Sequence, residues 1–79
     1  MICCRLIKIR DNDVVYAIGA HSKDLTGRLL ISKTSDAFSV TKMPEQSKIY
    51  MVHVERLFRK YQEDFRKGVF KEKLAFASI

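Results

Sequence analysis

The sequence predicts an α+β domain: a four-stranded antiparallel meander, five-stranded if the tail pairs as well, followed by one long C-terminal helix packed across one sheet face. Three observations carry this. Before Pro44 the apolar residues come in short runs broken by polar turns, the pattern of strands. After it, Tyr50, Val54, Leu57, Phe58, Tyr61 and Phe65 recur at helical spacing and mark one apolar stripe. The predicted strands are joined by loops of three to six residues, and connections that short pair sequential neighbours antiparallel.

Residues 2–10 read as the first strand, with Ile2, Cys4 and Leu6 on one parity and Cys3, Ile7 and Ile9 on the other. Apolar residues on both parities fit either a strand covered on both faces or a bulge near Leu6 and Ile7 that shifts the facing. Asp11, Asn12 and Asp13 supply turn chemistry, and residues 14–20 return as the second strand, with Gly19 marking a bend or a close backbone approach. A polar loop through Gly27 leads to residues 28–33, where Leu29 and Ile31 share a face. Thr34, Ser35 and Asp36 turn the chain into residues 37–43, with Phe38 and Val40 inward and Ser39 and Thr41 outward.

The helix is expected over residues 47–67. Ser47 serves as N-cap, or Pro44 occupies the first helical position, and Gly68 follows Arg66 and Lys67 at the C-terminal end. Val69, Phe70, Leu74, Phe76 and Ile79 then need burial, and residues 74–78 read as a fifth strand or a tail packed on the sheet. The expected core is Leu6, Ile18, Leu29, Ile31, Phe38, Val40, Val54, Leu57, Phe58, Tyr61 and Phe65. With 79 residues the chain reads as one small domain: residues 1–43 the sheet, 47–67 the helix and 69–79 the tail or short strand.

Composition narrows the function classes. Apolar residues make up 47% and charged residues 30%, the balance of a folded domain rather than a disordered one. Cys3 and Cys4 are adjacent, so neighbouring strand positions point them to opposite faces and a disulfide scaffold is excluded. No Cys/His spacing resembles a zinc site, and no cofactor motif is present. No signal-peptide pattern and no apolar stretch of about 18 residues is found, so a cytoplasmic location without membrane partners is expected. Net charge is +6, of which residues 1–46 contribute +2 and residues 47–79 contribute +4.

Four candidate functions follow. The positive helix points to nucleic acid through Arg56, Arg59, Lys60, Arg66 and Lys67 and the tail, although Glu55, Glu63 and their i,i+4 partners neutralise much of the field and fit an ordinary solvated face better. The aromatic residues fall mostly at core positions, leaving Tyr16 and Tyr50 in need of a hydroxyl partner or a surface. His21 beside Asp24, or a cysteine beside His21 or His53, would be the only routes to proton transfer or thiolate chemistry. Surplus apolar pattern on the first strand, together with an uncovered sheet face and two edges, points to assembly. The leading expectation is a non-catalytic interaction module with a protein partner or a second copy of itself, with nucleic-acid binding as the alternative. No small-molecule ligand, cofactor or metal is expected.

Overall fold

In the computed structural model, which describes residues 1–77, the chain runs β1 (Ile2–Ile9), β2 (Asp13–Gly19), β3 (Gly27–Ser32), β4 (Phe38–Lys42), α1 (Met51–Arg66) and β5 (Lys73–Phe76). All five strands form one antiparallel sheet in the order β4-β3-β2-β1-β5. The meander leaves β4 at one edge, so the chain needs a crossing to reach the free edge of β1. The helix provides that crossing and lies over one sheet face on the way. The fifth strand pairs Cys4 with Leu74 and Ile2 with Phe76. Ser78 and Ile79, which the sequence places at the end of this segment, lie outside the described residues.

The facing of β1 is decided by a bulge. Leu6 pairs with Tyr16 and Lys8 with Val15, so Ile7 is an extra residue. Beyond it the parity reverses: Lys8 shares the face of Arg5, and Ile9 joins Val14 on the helix side. The double-sided apolar pattern therefore reflects a change of register, and Ile7 and Ile9 remain about half exposed. A second bulge in β4 falls at Thr41, because Leu29 pairs with Val40 and Arg28 with Lys42.

The core lies between the sheet and α1. Ile18, Leu29, Ile31, Val54, Leu57, Phe58 and Phe65 are buried as expected, while Leu6, Phe38, Val40 and Tyr61 pack partly buried against them. Ile2, Cys4, Val14, Tyr16, Ile49 and Leu74 complete the cluster. The Tyr16 hydroxyl donates to the Lys71 carbonyl at 2.8 Å, which satisfies its polar end. Phe70 stacks on Phe65 with ring centres 5.5 Å apart, whereas Val69 is exposed and does not enter the core.

The helix starts four residues later than expected, and neither Ser47 nor Pro44 opens it. Tyr50 is its N-cap, with no side-chain capping bond. The Asp24 carboxylate explains this: it accepts the backbone N–H groups of Gln46 (3.1 Å) and Ser47 (2.5 Å), while the Ser47 hydroxyl accepts the Ala20 N–H (3.0 Å). These bonds tie the connection to the β2–β3 loop as non-helical chain until Ile49 is buried. Sixteen residues remain helical, a span of roughly 24 Å. At the other end Gly68 turns left-handed at φ 78°, Val69 N–H reaches the Asp64 carbonyl and Gly68 N–H the Phe65 carbonyl, the paired bonds of a Schellman ending.

Candidate functional site

The helix cations named by the sequence are all exposed, but three are already engaged. Arg59 bonds Glu55 at 2.8 Å, Arg66 bonds Asp36 at 2.8 Å and Glu63 at 3.3 Å, and Lys60 donates to the Ala75 carbonyl at 3.0 Å. Arg66 holds the Asp36 carboxyl below its ordinary range. Arg56 and Lys67 have no ion-pair partner among the described residues. Intrahelical and helix-to-loop acids thus neutralise much of this face.

A different cationic surface lies on the opposite side of the molecule. Strand neighbours in register share a face, and the row Lys73–Arg5–Ala17–Arg28–Lys42 crosses the whole sheet from β5 to β4. Its immediate neighbours along the strands, Leu74, Cys4 and Ile18, are buried under the helix, so the row points the other way. Lys8 joins this open face beside Val15 and Leu30. Arg5, Lys8, Arg28 and Lys73 have no ion-pair partner among the described residues, and Lys42 has only Glu45 at 3.8 Å. Arg28 gives its Nη1 to the carbonyls of Gly27 (2.7 Å) and Leu25 (3.3 Å), which orients it but leaves its charge uncompensated. Asp13, at the far end of this face, is bound by Arg10.

Two pairs in the row, Lys73 with Arg5 and Arg28 with Lys42, set like charges directly opposite each other, an arrangement that destabilises a sheet. Alternation along the strands made Arg5 and Arg28 legible as outward residues. Simple parity put Lys8 with Leu6 and Lys42 with Val40, both inward, and only the two bulges turn these lysines outward. Lys73 needed the pairing of the fifth strand.

Of the residues considered for chemistry, Asp24, Cys4 and His53 are engaged elsewhere in the fold. Asp24 is buried and its carboxylate serves Thr26, Gln46 and Ser47, so it is not directed to His21. Hydrogen bonds from Ser47 and the Thr26 hydroxyl lower its carboxyl from the ordinary 3.8 to about 2, with the Ser47 and Gln46 backbone adding and burial opposing. A folded value below the unfolded one contributes stability that is complete above about 3.8 and is lost as pH falls towards 2. Thermal unfolding followed from pH 5 downwards is expected to weaken through that window. Asp24→Asn should be less stable at pH 5 and show a flatter decline; equal steepness in both proteins would remove Asp24 as the cause.

Cys4 is buried, and burial with the neighbouring Cys3 pushes its thiol up to about 12, holding it protonated. His53 packs half-buried against Tyr50 and Phe76. Tyr50 stays at the surface with Lys48 over its ring. Between α1 and β4 lies an open cleft of about 560 Å³, lined in part by Phe38, Phe58 and the Arg66–Asp36 pair.

Fold and surface together define a one-sided sheet domain, apolar and helix-covered on one face and cationic on the other. No family model, curated protein or solved structure matches the chain. Among the described residues no helix is long and apolar enough to cross a membrane.

Proposed function

We propose that the protein is a small non-catalytic nucleic-acid-binding module whose contact surface is the open sheet face, formed by Arg5, Lys8, Arg28, Lys42 and Lys73. The observation that carries this reading is the pair of like-charged cross-strand contacts in one row. Such contacts oppose folding, and an anionic backbone lying across them would relieve the repulsion while releasing counterions. This reading keeps the nucleic-acid alternative but relocates it from the helix, where acids already compensate Arg59 and Arg66 and Lys60 is tied to the Ala75 carbonyl. The two unpaired thiols fit a reducing cytoplasm as its setting.

Self-association is the second reading, and the geometry leaves it a narrower route. Two open faces brought together would oppose their cationic rows. The outer edge of β5 is occupied at Ala75, whose N–H donates to the Tyr61 hydroxyl (3.2 Å) and whose carbonyl accepts from Lys60 and Tyr61. The β4 edge is the remaining place for a second copy to pair.

Titration against mixed DNA and RNA at two salt concentrations tests the leading reading. Binding should weaken steeply as salt rises. Changing Arg5, Lys42 and Lys73 together to Gln should lower affinity and reduce the salt slope by about 3, one per lost phosphate contact. The same change should raise the unfolding temperature at low salt, since it removes both like-charged pairs. Arg56→Glu combined with Lys67→Glu on the helix should leave binding largely intact. No binding at low salt, or binding that survives the sheet variant and is lost in the helix variant, rejects the sheet face as the site. Sedimentation at micromolar concentration reads self-association independently.

A further inference from the structure

The arrangement of the open face restricts the form of nucleic acid that it fits. Resting on the nucleic-acid reading above, we infer that its ligand is double-stranded DNA, held through the phosphates of both strands without readout of bases.

The first ground is where the aromatic residues are. Proteins that hold single strands combine a cationic track with aromatic side chains on which the bases stack. This chain has five Phe and three Tyr. Tyr16, Phe38, Phe58, Phe65, Phe70, Tyr61 and Phe76 belong to the buried cluster or pack against it, and Tyr50 caps the helix. None lies on the open face. The apolar residues there are Cys3, Val15, Ala17, Leu30 and Ala75, which offer contact area but no aromatic stacking plane.

The second ground is spacing. Adjacent strands lie about 4.8 Å apart, so the Lys73–Arg5 and Arg28–Lys42 pairs are centred three strands, or about 14 Å, apart, with Ala17 between them. Hydrogen bonding fixes that distance. A B-form duplex presents two phosphate ridges across a groove about 12 Å wide, a comparably fixed spacing. A flexible single strand has no such pair of ridges and would have to be ordered to reach both clusters. A five-stranded sheet is also too broad to enter the groove, which admits a helix or a two-stranded ribbon. It can therefore span the ridges but not read the base edges between them, and phosphate contacts alone carry no sequence information.

The wild-type protein is titrated with a short duplex DNA in two unrelated sequences, each of its separated strands, and an RNA duplex of the same length. The two DNA duplexes should bind within about threefold of each other. Their affinity should fall roughly 500-fold between about 50 and 200 mM salt, as expected for five phosphate contacts. The single strands should bind at least about tenfold more weakly at each salt concentration, because they bring neither fixed ridges nor a surface on which to stack. Equal or tighter binding of a single strand or of the RNA duplex, or a strong preference between the two DNA sequences, overturns the inference while leaving nucleic-acid binding in place. Absence of binding to every probe at low salt overturns both.

Discussion

Leu57→Ala is expected to cost about 2–5 kcal/mol of folding stability, the usual loss when a fully buried leucine is truncated and the cavity collapses only partly. Leu57 has no exposed surface and sits in the centre of the stripe that α1 lays on the sheet. A domain of 79 residues has a total stability of roughly 4–12 kcal/mol, so this one change removes a large share of it. Each kcal/mol corresponds to about 4–8 °C in unfolding temperature for a domain of this size. Urea denaturation of Leu57→Ala and Leu57→Met separates packing from mere hydrophobicity. The methionine, which nearly conserves volume, should lose less than about 1.5 kcal/mol. If the alanine variant loses less than about 1 kcal/mol, well below the range for truncating a fully buried leucine, the packing of the helix on the sheet is not what holds the fold.

Gly19→Ala is expected to cost about 1–3 kcal/mol or more, although it adds only one methyl group. A Cβ at Gly19 would run into the backbone carbonyl of Asp24, and backbone cannot swing aside as a flexible side chain can. Asp24 N–H is itself bonded to the His21 carbonyl at 3.1 Å, and its carboxylate holds residues 46 and 47. Moving Asp24 away would therefore disturb both the β2–β3 loop and the entry to the helix. The unfolding temperature should fall, and the decline between pH 5 and pH 2 should flatten as in Asp24→Asn. A variant with wild-type stability would mean that the loop can shift freely, which is incompatible with Asp24 acting as the tie between these segments.

Much of the architecture was legible because it depends on local periodicity. Val54, Leu57, Phe58 and Phe65 fall on one side of any helix drawn through them, and the turn residues at 11–13 and 34–36 allow little but reversal. Gly68 ended the helix for a reason contained in its own backbone. The start of the helix was not legible, since Ser47 is a good cap by type. Its competing partner Asp24 is more than twenty residues away in the chain, and only folding brings the two together.

The candidate site was less legible than the fold. Charge counted along the chain drew attention to residues 47–79, yet four of the five open-face cations come from residues 1–46. Counting also treats Arg59 and Arg66 as free positive charges, although Glu55, Glu63 and the distant Asp36 hold them.

The sequence by itself determined an α+β domain with short-looped strands, one amphipathic helix and two thiols that cannot bridge, because each of these follows from the spacing of neighbouring residues. Only the tertiary structure decided which cations share a surface. That depended on the pairing of β5 with β1 and on two bulges that reverse the facing of Lys8 and Lys42. Side chains alternate with a period of two, so a single extra residue moves every later one to the other face, and the free energy that selects such a register lies in the packed sheet rather than in the strand.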